Sequence, residues 1–175
     1  MCTFAGLQAD ARVLIDKARL ECQSFRFQLE DEPTVEYIAK SVAETKQKYT
    51  QKGGVRPFGI SCFIAGFQDG QPKFYQTEPS GAFNEWKANA IGRSASTLRE
   101  FLEKKWEAEM TEEQSIRLGV STLLEIVESA SNMEICVVKD GSTRMLEEDD
   151  LKPIVAELKK VKEEEEAKKK GAKKD

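Results

Sequence analysis

Apolar and polar positions alternate along this chain with two different periods, and the change of period marks its elements. Leu7, Ala11, Leu14, Ala18, Cys22 and Phe25 recur at steps of four and three, while Arg12, Asp16, Lys17, Arg19 and Glu21 fall largely off that stripe. Such spacing predicts an amphipathic helix packed by one side, and Gly6 just before it permits a sharp entry. Pro33 and Thr34 open a second helix with the stripe Val35, Ile38, Val42, Thr45 and Tyr49, ended by Gly53-Gly54. The period then shortens. Gly59 to Phe67 is a short, mostly apolar run bounded by Pro57 and by Asp69-Gly70, which predicts a buried strand followed by a hairpin turn. Lys73 to Thr77 is its partner strand, Pro79-Ser80-Gly81 a second turn, and Phe83 to Ile91 a third strand closed by Gly92.

The helical period returns from Ser94 to Trp106, with Leu98, Phe101, Leu102 and Lys105 on one side. Thr111 with Gln114 fits a capping box, and Ile116, Val120, Leu123 and Val127 continue as a fourth helix. Met133 to Lys139 predicts a strand, Asp140-Gly141 a turn and Arg144 to Leu146 a short return strand. A last helix starts near Asp149, with Pro153 in its first turn, and carries Leu151, Ile154, Val155, Leu158 and Val161. Helix-helix, three strands, helix-helix, two strands and a helix form the α+β pattern of helices covering an antiparallel sheet. Cys2-Thr3-Phe4-Ala5 looks like the end of a strand without a beginning, and the sheet is thin for its helices. The expectation is that an N-terminal stretch of sheet lies outside this chain.

At 175 residues the length suits one domain. Charge refines that picture: residues 157–175 hold 14 of the 58 charged side chains and sum to +2, leaving the first 156 residues at −6. The chain is therefore divided into a domain over residues 1–161 and a charged tail over 162–175, a solvated helical extension fraying into disorder. A net charge of −4 argues against broad nucleic-acid binding. There is no histidine, which removes Ser-His-Asp and Cys-His catalysis and His-bound zinc. Ser61, Ser80, Ser94 and Ser96 thus lack an imidazole to activate them. Cys2, Cys22, Cys62 and Cys136 show no CxxC spacing, so reduced, structural thiols are expected and no metal or cofactor. Gly92-Arg93-Ser94 lacks a Walker lysine and is expected to be a strand-to-helix turn, and the acids Glu147 to Asp150 to favour a helix N-terminus. No apolar run approaches the roughly 18 residues of a membrane span, and the first six residues lack the basic region of a signal peptide. A soluble intracellular chain is expected.

Four segments together carry a resemblance: Ala5 to Arg12 (AGLQADAR), Arg56 to Ser61 (RPFGIS), Tyr75 to Gly81 (YQTEPSG) and Trp86 to Gly92 (WKANAIG). In this order, with helices and strands between them, the chain resembles the alpha-type subunits of the 20S proteasome over essentially its whole length. Glu21-Cys22-Gln23-Ser24, Val35 to Ile38, Lys48 to Gln51 and the Lys/Glu-rich tail point to the type-7 branch, in the fourth ring position. Family members begin with a gate-forming tail, a ring-sealing helix and further strands, so the chain looks like the C-terminal two thirds of such a subunit.

The resemblance implies a four-layer αββα sandwich, the N-terminal-nucleophile hydrolase fold, in a non-catalytic, structural and gating subunit. Its implied partners are other alpha subunits in a seven-membered ring, the beta subunits beneath it, and a regulatory particle or activator; its implied location is cytoplasm and nucleus. C-terminal activator tails dock in pockets between alpha subunits, and residue-wise carry-over places Gly6, Leu7 and Asp10 at that site. The plainer reading is that Gly6 makes a turn, Leu7 packs and Asp10 favours a helix N-terminus. The family's pocket lysine lies upstream of Met1. The alternative functions are an N-terminal-nucleophile amidase using Cys2, and a truncated paralogue that does not assemble. The tail admits a basic localisation signal, a partner contact or a plain solvated extension.

Overall fold

The computed structural model describes residues 1–139 and 141–171, with side chains to Lys162. The chain divides into two compact units: Met1–Ala95 with Val138–Ser142, and Ser96–Val137 with the residues from Thr143 onward.

The first unit is a layer of two helices on an antiparallel sheet of order β1-β2-β3-β4, comprising β1 (Cys2–Gly6), β2 (Ile60–Gln68), β3 (Gln71–Thr77) and β4 (Phe83–Glu85). β1 pairs antiparallel with β2, with Gly6 opposite Ile60 and Cys2 opposite Ile64. Asp69 and Gly70 both have positive φ (53° and 71°), the two-residue turn that matches the right-handed twist of β2 and β3. The expected strand over Phe83–Ile91 stops at Glu85. Beyond it the Asn89 carboxamide donates to the Gln76 side chain and accepts from the Ala90 amide, so a side chain ties this segment to β3.

Helix α1 (Gln8–Leu29) buries Ala11 and Leu14 of its expected stripe, whereas α2 (Val35–Gln51) buries Ala39, Val42, Ala43 and Lys46, of which Val42 alone belongs to the expected stripe; the inward face is turned towards the small residues. Ala11 and Leu14 are buried against Phe58, Ile60 and Cys62; Ala39 and Val42 are buried against Ile64 and Tyr75. Each of the larger of these side chains contributes on the order of 1.5–3 kcal/mol. Thr34 caps α2 by accepting from the Tyr37 amide at 3.0 Å. Leu7 departs from its stripe: it precedes the helix and is 53% exposed.

One buried residue of α2 is a cation. Lys46 is fully buried, and its Nζ donates to the carbonyls of Ile60 and Thr77 (both 3.0 Å), to Thr77 Oγ1 (2.9 Å) and towards Cys62 Sγ (3.5 Å). Burial lowers the lysine's proton affinity, and the Cys62 sulfur opposes that. Helix and sheet meet tightly nearby. Gly81, at φ +88°, lies so near α2 that a Cβ there would stand 2.4 Å from Gln47 Cβ.

The second unit packs α4 (Glu112–Leu123), a short 3₁₀ turn (Ala130–Asn132), the outer parts of β5 (Ile135–Lys139) and β6 (Ser142–Leu146), whose tip from Val138 to Ser142 belongs to the first unit, and α5 (Glu148–Gly171) around Val120, Met133, Leu146, Leu151 and Val155. α3 (Ala95–Lys105) precedes them. The Thr111–Gln114 capping box is present in both directions. Because α5 starts at Glu148, Pro153 falls in its second turn. Helical backbone reaches Gly171, so the expected helical extension is present in part; Asp140 of the expected turn and residues 172–175 lie outside the described residues. Mixed helix and antiparallel sheet is the α+β class.

Two glycines of positive φ separate steric from conformational cost. Gly81→Ala meets Gln47 and costs about 2–4 kcal/mol, whereas Gly70→Ala has open space and costs about 1 kcal/mol. Denaturant midpoints of the two variants measure the difference, and equal shifts would contradict the close approach.

Candidate interaction site at the start of the first long helix

Gly6, Leu7 and Asp10 meet the Arg56-Pro57-Phe58-Gly59 segment at the junction of β1 and α1. Gly6 has φ +129°, and a Cβ there would lie 2.2 Å from the Gly59 carbonyl oxygen. The next amide, Leu7 N–H, donates to that same oxygen at 3.0 Å. Gly59 is bare for the reciprocal reason: its Cβ would stand 2.8 Å from Leu7 Cδ1. The two chain segments therefore run close together, in backbone contact at Gly6, where only glycine fits, and with the Leu7 side chain lying over Gly59.

Asp10 closes the junction. Its carboxylate accepts from Arg56 Nη1 (2.7 Å) and Nη2 (2.8 Å), a two-pronged pair, and from the Gly59 amide (2.9 Å). The Asp10 side chain is 9% exposed and that of Arg56 64%. The Arg56 guanidinium, then the Gly59 amide, hold the carboxyl down to about 2 from its ordinary 3.8. Between Arg56 and Gly59, Phe58 is buried with its ring 4.7 Å from Tyr49. The structure thus brings all three expected residues together. Gly6 and Asp10 are positioning groups, and Leu7 is the side chain left at the surface. Arg56 and Gly59 complete the arrangement; the 56–61 motif was their signal, though spacing alone does not show that it faces Asp10.

The other two motifs interlock as well, since Gln76 of Tyr75–Gly81 bonds Asn89 of Trp86–Gly92. Gly92 (φ +110°) accepts from the Ala95 amide at 3.3 Å, making the turn into α3. Asp150 accepts from the Glu147 amide at 3.1 Å at the start of α5.

A hydrogen bond to Cys62 and burial push the Cys2 thiol well above its ordinary value. Cys62 is shifted down, by the hydrogen bond from Cys2 and then by the Lys46 charge, against burial. Among the described residues no group of three or more His, Cys, Asp or Glu side chains is placed to hold a metal ion.

The four motifs, locked in two pairs on this helix-covered sheet, lie within one family's profile: that of the proteasome subunit covers residues 1–138, and the chain belongs to that family. Among individual proteins it is 54% identical to the proteasome subunit alpha type-7 of Dictyostelium discoideum over 164 residues, covering 92% of this chain and 65% of that protein. It is 51% identical to the alpha type-7 subunit of Cicer arietinum over 175 residues (98% and 70%), and 50% identical to an alpha type-7-like subunit of Macaca fascicularis over 166 residues (92% and 66%). The chain spans about two thirds of the length of these relatives.

The depressed Asp10 pKa carries a pH signature. Ionised Asp10 stabilises the fold fully above its unfolded value of 3.8, and that contribution is lost as pH falls through about 2. Asp10→Asn removes this contribution, so the variant is less stable than the parent at neutral pH and the gap narrows between pH 4 and 2. Thermal melts across that window check it; a constant gap would mean that Asp10 is not held by Arg56.

Proposed function

We propose that this chain is a non-catalytic, structural and gating-ring subunit of the 20S proteasome core, in the type-7 position of a seven-membered alpha ring stacked on beta subunits. The observation that carries this reading is identity of 50–54% to type-7 subunits over more than nine tenths of the chain. Its role in ATP- and ubiquitin-dependent degradation is then architectural. It packs against neighbouring alpha and beta subunits in the family's four-layer sandwich, and substrates pass the ring to reach chemistry held elsewhere. The absence of histidine from the sequence, which removes Ser-His and Cys-His catalysis, supports a subunit whose role is structural. We place it in cytoplasm and nucleus; among the described residues no helix is long and apolar enough to cross a membrane.

Within that assembly the β1–α1 junction forms part of an activator-tail pocket. Leu7 supplies the apolar contact, and Gly6, Asp10, Arg56 and Gly59 fix where it stands. Half-exposed leucine on a backbone locked from both sides suits docking, because little freedom is lost on contact.

Native purification through a C-terminal tag, followed by intact mass, tests the assembly. A barrel-sized complex carrying other alpha and beta subunits is expected; a lone species near 19.7 kDa plus the tag would overturn it. In assembled particles Leu7→Asp lowers stimulation by activator-tail peptides several-fold while assembly is retained. Unchanged stimulation would remove Leu7 from the pocket.

A further inference from the structure

We infer that Cys2 and Cys62 are an oxidisable pair that closes to a reversible disulfide between β1 and β2, beside the Lys46 ammonium. The inference rests on the sheet and its core, independently of any assembly. Phe4 stands opposite Cys62 and Cys2 opposite Ile64, so the two cysteines are diagonal neighbours on one face of adjacent antiparallel strands. Cys2 packs against the apolar cluster that Cys62 forms with Ala11, Leu14, Phe58 and Ile60. Cys62 is 2% exposed, and its Sγ lies 3.5 Å from Lys46 Nζ, a cation that is itself fully buried. A sulfur held against a desolvated ammonium is favoured as thiolate, the form that reacts with oxidants. The neighbouring thiol is then the resolving group. Cys22 lies on α1 and Cys136 on β5, neither of them in the β1–β2 pair.

The step balances with a hydroperoxide as oxidant. The Cys62 thiolate attacks the terminal peroxide oxygen; the O–O bond breaks, leaving sulfenic acid at Cys62 and releasing hydroxide or alkoxide. The Cys2 sulfur then attacks the Cys62 sulfur; the S–O bond breaks, and the Cys2 proton leaves with the departing hydroxide as water. Two electrons pass from the sulfur pair to the peroxide. Diagonal neighbours stand farther apart than a relaxed disulfide spans, so β1 slides slightly along β2 to form the bond, and thiol reductants reopen it readily. The link would fasten β1 four residues before Gly6.

The test uses the full-length protein in its native assembly. Hydrogen peroxide is added in steps, remaining thiols are trapped with N-ethylmaleimide, and tryptic peptides are mapped without reduction. The expected result is a linked pair, the peptide ending at Arg12 joined to the peptide Gly53–Lys73, two hydrogens lighter than their sum and separated by dithiothreitol. Cys2→Ser abolishes the linked pair, and Cys22→Ser leaves it intact. Recovery of Cys2 and Cys62 as separate maleimide adducts, at doses that already oxidise Cys22 or Cys136, would overturn the inference. So would either cysteine joined to a different thiol.

Discussion

A lysine ammonium with no access to water sets the relation between helix and sheet in the first unit. Lys46 reaches from α2 to carbonyls on both β2 and β3. A buried charge is tolerated only when its hydrogen bonds are made, and the acceptors sit on different strands. That requirement fixes the height of α2 above the sheet and its position along it at once. The small residues follow from it: Ala39 and Ala43 are almost fully buried, and Gly81 lies where no side chain could stand beside Gln47. A displaced α2 would strand an ammonium among unpaired carbonyls, so the buried cation selects one packing among several that apolar contact alone would allow.

Periodicity made most of this fold legible. The stripe of α1, the capping box at Thr111 and the Asp69-Gly70 turn are local features, and local chemistry suffices to predict them. Failures came where a distant partner overrode a local preference. Lys46 belongs by residue type on the wet face of its helix, and only carbonyls 14 and 31 residues away draw it inside. Phe83 to Ile91 has the composition of a strand, yet the ladder stops at Glu85 and a side chain, Asn89, takes over the link to β3 through Gln76. Leu7 fits the apolar stripe by spacing but precedes the helix, where the stripe no longer points inward.

The candidate site was legible as three residues and not as a mechanism. Gly6, Leu7 and Asp10 were named through the family resemblance, which does not say what Asp10 bonds. Helix N-terminal charge was the natural account from sequence, because a carboxylate in the first turn needs no other explanation. The structure gives Asp10 a stronger one, in a guanidinium and an amide 46 and 49 residues away. That is tertiary information, absent from any window of sequence short enough to show a period.

The junction also constrains how this chain changes over generations. Asp10 and Arg56 are far apart in sequence, yet loss of Arg56 leaves a nearly buried carboxylate with one amide, and loss of Asp10 takes a two-pronged acceptor from a largely exposed guanidinium. Gly6 and Gly59 are bound in the same way, since each is bare to admit the other's neighbour. The first motif and the second therefore form a single heritable unit written in two places, and drift in one is visible to selection through the other.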